Sequence, residues 1–418
     1  MGNFIWGGCD VTELAARFGT PLYVMSEDEI TSRIRAVRAC FDDRYDSCRT
    51  YFASKAFLTK DMLRILMREE TGLDVVSGGE LYLARAVGFP PEMIMFHGNS
   101  KTEAEIGCGL DYGVGCFVVD SAEEMLLIDR MASTRGVRPR ILMRVTPGVE
   151  GHTHKHIATA GVGSKFGVPM ELVRDTVSDG MRLRGASLEG FHFHVGSQLM
   201  DNACHMAALN IVLELMKRVR DELGFVAGTL DMGGGFGVAY VEGDAPKPID
   251  SFIRPMTERV EEFCAAEGMP RPFLVVEPGR FIVGPAGITL YAVGSVKEVP
   301  DIGLCAGVDG GYPDNPRPAL YDAKYAAVAA NKCGCASLRR TTIVGKCCES
   351  GDVLIRDIDL PELERGDIIA VKCTGAYNHS MSSNYNKNPI PAVVMIKDGE
   401  PRLSVRRQSF EDMFAMEI

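Results

Sequence analysis

Eight short apolar runs, separated by stretches of helical period, constrain this chain more than any other feature. They are RTYFAS (49–54), LDVVS (73–77), MIMFHG (93–98), CFVVDS (116–121), RILMRVT (140–146), LEGFHFHVG (188–196), TLDMGGG (229–235) and FLVVEPG (273–279). Each reads as a buried strand, and the gaps carry the period of amphipathic helices. SAEEMLLIDRMAS follows the fourth run, and SFIRPMTERVEEFCAAEG before the eighth places Phe252, Met256, Val260 and Phe263 on one face. Eight β-then-α units predict a (β/α)8 TIM-type barrel over an open doubly wound sheet. The polar residues keep the same phase: Lys55, Asp74 with Ser77, His97 with Asn99, Asp120, Arg144, His194 with Ser197, Gly233 to Gly235 and Glu277 fall at or near the carboxyl ends of the runs. Barrel enzymes carry their chemistry at that rim.

The pattern changes near residue 286. ITLYAVGSVKEV, TTIVGKC, DVLIRDIDL, DIIAVKCTGAY and AVVMIKDGEPRLSVRRQ are short, β-branched and punctuated by turns, with Asp398-Gly399 marking a hairpin. The expected organisation is an amino-terminal segment (1–25) joining a β domain, a barrel (26–285), and a carboxyl-terminal β-rich barrel or sandwich (286–418).

A formal net charge of -11 argues against a nucleic-acid surface, which needs clustered Lys and Arg. The amino-terminal stretch lacks a basic region leading into an apolar core, and no apolar run reaches about 18 residues, so neither export nor a membrane span is expected. Thirteen cysteines without disulfide-type spacing suit a reducing compartment, and a cytoplasmic location is expected. Cys333-x-Cys335 and Cys347-Cys348 lack a second pair at finger spacing, so no metal is expected there.

Lys55 stands at the tip of its apolar run as a single amine, and a desolvated amine can form a Schiff base. Gly233-Gly234-Gly235-Phe236-Gly237 follows the seventh run, where barrels often bind phosphate through bare backbone N–H groups. Glu277-Pro278-Gly279-Arg280 ends the eighth run beside it. An amine, a phosphate cradle and a partner for a ring nitrogen together point to pyridoxal phosphate. His192 and His194 alternate, which a metal-dependent hydrolase would also show, with His152, His154 and His156 as further ligands. In the β-rich part, Arg317 suits a carboxylate, Glu349 an ammonium and Cys348 a proton transfer.

With these motifs assembled, the chain resembles the diaminopimelate decarboxylase family, within the alanine racemase-like group of pyridoxal phosphate enzymes. The likeness runs through YFASKAF, LDVVSGGEL, FHGNSKT, RVTPGVEGHTHKHIATAGVGSKFG, FHFHVGSQ, DMGGGFG, EPGR, DNPRPALYDAKY, CCESGD and GAYNHSMSSNYN. It implies a barrel with a carboxyl-terminal β domain carrying substrate and dimer contacts, in a head-to-tail homodimer with shared active sites. It further implies that Lys55 is the Schiff-base lysine, that His194 stacks on the cofactor ring, and that Glu277 pairs with its nitrogen. Gly233, Gly234, Gly235, Gly237, Gly279 and Arg280, with Ser197 and Tyr377, would hold the cofactor. Arg280, Arg317, Tyr321, Tyr377 and Glu349 would bind meso-diaminopimelate, and Cys348 would donate a proton, the last two residues coming from the other subunit. The implied reaction is decarboxylation at the D-centre to give L-lysine; the alternative is another amino acid, such as ornithine, arginine or a carrier-bound amino acid, on the same scaffold. Two departures stand out: Ile390 where relatives often carry Arg, implying a changed barrel contact, and Tyr312 in place of a smaller residue on a substrate-side loop.

Overall fold

The structure is a computed structural model that describes residues 2–41, 45–149, 164–300 and 302–418. It divides into two compact units, Arg33–Gly237 with Pro246–Phe281, and Met1–Ser32 with Val238–Ala245 and Ile282–Ile418.

The first unit is a closed parallel barrel. Its strands are β1 (Cys48–Ala53), β2 (Gly72–Val75), β3 (Ile94–Phe96), β4 (Cys116–Val119), β5 (Arg140–Thr146), β6 (Ser187–His192), β7 (Thr229–Asp231) and β8 (Phe273–Val276). Each pairs in parallel with the next, and β8 pairs with β1 through Leu274 opposite Cys48 and Val276 opposite Thr50, which closes the ring. The TIM-type barrel expected from the sequence is therefore present. Tyr51, Met95, Cys116, Val118, Leu142 and Val275 pack together as one apolar cluster, where burial pushes the Cys116 thiol up to about 12. The helix Asp250–Glu267 buries Phe252, Met256, Val260 and Phe263, the face its spacing predicts.

The strands end two to four residues sooner than several of the apolar runs, so His194, Gly233 to Gly235 and Glu277 lie in the loops beyond them. Gly233 and Gly235 take φ of 68° and 96°, a left-handed backbone that breaks the strand as soon as it reaches the rim. Thr59, Ser77, Thr102 and Ser121 then cap the following helices, each accepting the N–H three residues on.

In the second unit the strands run in the order Val353–Pro361, Leu338–Val344, Gly303–Val308, Gly287–Val299, Leu22–Ser26, Ala392–Lys397, Glu400–Val405. Ile368–Lys372 also pairs with Gly287–Val299 and carries Ala327–Ala329. Gly303–Val308 and Ala327–Ala329 escape the sequence pattern because Gly and Ala dominate them, residues with little strand preference that are recruited by their neighbours. Among the described residues no helix is long and apolar enough to cross a membrane.

Within β6 the register slips between Leu188 and Gly190, and a Cβ on Gly190 would lie 1.9 Å from the Thr229 carbonyl oxygen of β7. Gly190→Ala must push β6 from β7, and chemical denaturation should show a loss of about 2 kcal/mol or more. A variant with an unchanged midpoint would contradict this packing.

Candidate active site

The rim residues meet around one carboxylate. Glu277 follows β8, is 7% exposed, and lies 2.7 Å from His97 Nε2 after β3 and 3.2 Å from His192 Nε2 at the end of β6. The two imidazoles cross edge to face at 4.9 Å. His192 donates to Glu277 Oε2, and burial drives its pKa down to about 4, so this ring is neutral at working pH. Burial alone would protonate Glu277; the flanking His97 and His192 outweigh it and hold the carboxyl well below the usual range. Asp231, at the end of β7, is in the opposite state, because burial and the nearby Glu277 anion raise its pKa well above normal. Its Oδ1 accepts from Gly233 N–H at 2.9 Å. Burial also raises Asp74 on β2 to about 6, against the pull of His97.

The glycine loop leaves no room for side chains. Added Cβ atoms on Gly233, Gly234, Gly235 and Gly237 would come within 2.1–2.5 Å of the carbonyl oxygens of Phe193, Glu277, Gly196 and Leu199. Gly234 N–H donates to His194 Nδ1 at 3.2 Å, and burial, then Lys55 and Arg144, keep His194 neutral by lowering its pKa. Arg280 is buried, with Nη2 donating to Ser197 Oγ at 3.0 Å. Gly279 lets the loop pack on the turn that carries Lys55, since a Cβ there would already touch Ala53 and Ala56 at 3.1 Å.

Lys55 differs from its expected setting. It lies in a 3-10 turn, Ser54–Ala56, beyond the end of β1, and is exposed in the single chain where a strand-tip amine was expected to be desolvated. The turn lifts it off the sheet, while Ser54 Oγ, donating to Glu80 Oε2 at 2.7 Å, anchors it. His192 and His194 also part company: β6 stops at His192, so one ring serves Glu277 and the other the glycine loop. The trio His97, His192 and Glu277 places three potential metal ligands within 4.8 Å of one another, without His194. His152, His154 and His156 lie outside the described residues.

In the β-rich unit Arg317 is buried, with Nε lacking a hydrogen-bond partner, and its guanidinium lies 5.7, 5.8 and 5.6 Å from the rings of Tyr240, Tyr321 and Tyr377. Tyr240 was not anticipated; a lone tyrosine far from the DNPRP motif gives no signal. Cys348 and Glu349 sit on an exposed turn, where Cys348 N–H donates to Asn386 Oδ1. The buried Asp352 shapes that turn by accepting from the N–H groups of Cys347 and Tyr312 at 2.9 and 2.7 Å. Burial and Asp352 push the Cys347 thiol up to about 12, which leaves Cys348 as the accessible thiol of the pair. Of the two departures, Tyr312 meets Tyr385 edge-on at 5.7 Å, and Ile390 pairs its backbone with Gln408.

A family model described as the pyridoxal-binding domain of pyridoxal-dependent decarboxylases matches residues 27–284. A protein named diaminopimelate decarboxylase from Bacillus subtilis (strain 168) is 43% identical over 419 residues, covering 100% of this chain and 95% of its own. Its namesake from Mycobacterium tuberculosis (strain ATCC 25618 / H37Rv) is 40% identical over 435 residues, covering 100% and 95%. Among solved structures, diaminopimelate decarboxylase from M. jannaschii in co-complex with L-lysine matches with a TM-score of 0.92 at 31% identity, over 100% of this chain and 96% of that one. A lysine/ornithine decarboxylase from Vibrio vulnificus shares the fold, with a TM-score of 0.79 at 24% identity over 93% and 97%.

The two protonation states around Glu277 have a measurable consequence. An Asp whose pKa is raised by folding stabilises the native state below its unfolded pKa of about 4 and loses that contribution as pH climbs toward the folded value. Asp231→Asn keeps the neutral shape without the titration. The variant should therefore exceed the parent in stability at neutral pH, by about 1 kcal/mol or more, with the difference shrinking toward pH 4. Denaturation midpoints across that range check it; a variant markedly weaker at neutral pH would show that Asp231 is ionised.

Proposed function

The chain belongs to the diaminopimelate decarboxylase family of pyridoxal-dependent decarboxylases, and from that premise we propose how its own residues carry the reaction. The substrate is meso-2,6-diaminopimelate, which loses the carboxylate of its D-centre to give L-lysine and carbon dioxide. What carries the reading is Glu277, a buried carboxylate held ionised at the same rim as Lys55.

The residues present suit pyridoxal phosphate. The loop 233–237 has no room for side chains at its glycines; Gly233, Gly234 and Gly237 use their N–H groups within the protein, which leaves those of Gly235 and Phe236 for an anion, and Arg280 adds a buried cation. When bound, the cofactor supplies an electron-accepting ring for the pair released as carbon dioxide leaves. Lys55 holds it covalently through its amine, and His194 offers a neutral ring face for stacking. Glu277 favours a proton on the ring nitrogen, as an anion must. Gly233 to Gly235, Gly237, Gly279, Ser197 and Tyr377 complete the cradle.

Arg317, walled by tyrosines, binds a substrate carboxylate with Tyr321 and Tyr377, Arg280 is a further substrate-binding residue, and Glu349 receives the distal ammonium. Cys348 returns a proton to the carbon that lost its carboxylate. The trio His97, His192 and Glu277 would also suit a metal hydrolase, but His192 already donates its Nε2 proton to the carboxylate, and the full-length relatives are decarboxylases. The enzyme works as a homodimer in which Cys348 and Glu349 of each chain serve the site of the other; their exposure in the single chain supports this. A thiol in that role, among thirteen cysteines, suits a reducing cytoplasm.

Lys55→Ala should lose both the cofactor absorbance near the visible edge and carbon dioxide release, with the parent releasing it from meso-diaminopimelate and not from L-ornithine or L-lysine. A variant that keeps its colour, or release from ornithine alone, would overturn the lysine's role or the substrate respectively.

Shared sites give a second test. Lys55→Ala and Cys348→Ala are each inactive alone, yet in a mixed dimer one site keeps both residues, so mixing should restore up to roughly a quarter of parental activity. Two inactive variants that stay inactive after subunit exchange would place both residues in one chain's site.

A further inference from the structure

His205 is a fully buried histidine in the helix Ala203–Leu223, and no motif marks it. Its Nε2 lies 2.8 Å from the carbonyl oxygen of Gly234. A carbonyl only accepts, so Nε2 carries the proton and donates it. The same residue's N–H donates to His194 Nδ1 at 3.2 Å, so Gly234 is gripped from both faces of the rim loop. An acceptor at Nδ1 in turn places the proton of neutral His194 on Nε2.

The ring of His205 is itself held. It stacks on Phe236 of the glycine loop at 5.4 Å with planes 13° apart, and meets Phe252 edge-on at 5.7 Å. Its Nδ1 is buried without a partner. An apolar residue would fill this slot without that unpaired atom, whose burial has a desolvation cost. The carbonyl of Gly234 is the group that repays a histidine here. Gly234 also packs directly against the backbone of Glu277, where a Cβ would fall 2.1 Å from the carbonyl oxygen.

We propose that His205 is a positioning residue of the cofactor site: by holding the Gly234 carbonyl it fixes that residue, whose N–H, in the preceding peptide, then orients the ring of His194 and ties it to the phosphate-facing loop. This rests on the pyridoxal phosphate reading above. His205 touches neither cofactor nor substrate in this role; it acts through Gly234, whose carbonyl and N–H belong to adjacent peptide units. The bond does not depend on the ring's titration, since Nε2 carries a proton in the neutral and in the charged ring, and burial lowers the His205 pKa to about 4.

The test compares His205→Phe, which keeps the aromatic stack and removes the donor, with His205→Gln, whose amide reaches the position of Nε2. Pyridoxal phosphate binding and the absorption spectrum of the loaded enzyme are measured for both. The Phe variant should bind the cofactor about 10-fold more weakly, as loss of one buried hydrogen bond predicts, with a displaced absorption maximum, while Gln restores both. A merely structural role would lower thermal stability without moving the spectrum. A Phe variant with parental affinity and spectrum, or a Gln variant as impaired as Phe, overturns the proposal. Parental enzyme that takes up no pyridoxal phosphate overturns the underlying reading instead. Should the Phe variant not fold, ring 15N shifts of the parental enzyme decide: a proton on Nε2 of both His205 and His194 is expected, and a proton on Nδ1 of either ring refutes the relay.

Discussion

A carboxylate kept ionised out of water sets the terms for the rest of the rim. Removing such an ion from solvent costs several kcal/mol even after relaxation, and the cost is met only by partners in good geometry. For Glu277 those partners arrive from separate parts of the chain: His97 after β3, His192 at the end of β6, Asp231 at the end of β7. No local stretch could assemble them. The closed barrel does, because parallel strands around a ring end at one level and point their terminal residues toward a common axis. The pairing of β8 with β1 then brings the loop of Glu277 beside the turn of Lys55, where Ala53 N–H donates to the Pro278 carbonyl.

Glycine joins this electrostatic centre to its surroundings. The loop 233–237 packs backbone against backbone on the segment from Phe193 to Leu199 and on Glu277, at separations where any Cβ would overlap a carbonyl oxygen. Close packing and the internal bonds of the Gly233, Gly234 and Gly237 N–H groups make the loop stiff, and the same lack of side chains leaves the N–H groups of Gly235 and Phe236 unscreened. Rigidity and anion access thus have one cause. A site whose groups must stay within a fraction of an ångström is better served by such packing than by a flexible loop.

Much of this was legible in the sequence, and the limits have physical reasons. The barrel strands announce themselves because burial demands continuous apolar residues, and the rim residues because polar groups at strand ends keep phase with the repeat. The exact strand ends were not legible: apolar residues continue past His192 with Phe193 and Val195, while backbone φ at the glycines decides where pairing stops. The amine of Lys55 looked buried because the run before it is apolar, yet the single turn Ser54–Ala56 carries it into solvent. His205, Asp231 and Tyr240 gave no signal, since each matters through one spatial neighbour far away in sequence. Gly303–Val308 and Ala327–Ala329 were missed for the opposite reason: their side chains express no preference, and the strands beside them impose the conformation.

The allocation of charge between Glu277 and Asp231 links the fold to the direction of the chemistry. Two neighbouring carboxyls in a dry site do not both ionise, so one must carry a proton, and their surroundings decide which. Glu277 has two imidazoles beside it, whereas Asp231 has one backbone N–H. The anion therefore settles on Glu277, at the end of β8 where the cofactor ring nitrogen is expected. Under the proposed reading, an anionic partner there would keep that nitrogen protonated and the ring a strong acceptor of the electrons that loss of carbon dioxide releases. A cationic partner at the same point would draw the proton away and weaken the acceptor, which suits racemisation better. His97 and His192, with no carbon of substrate to touch in this scheme, would act through the charge they hold on Glu277.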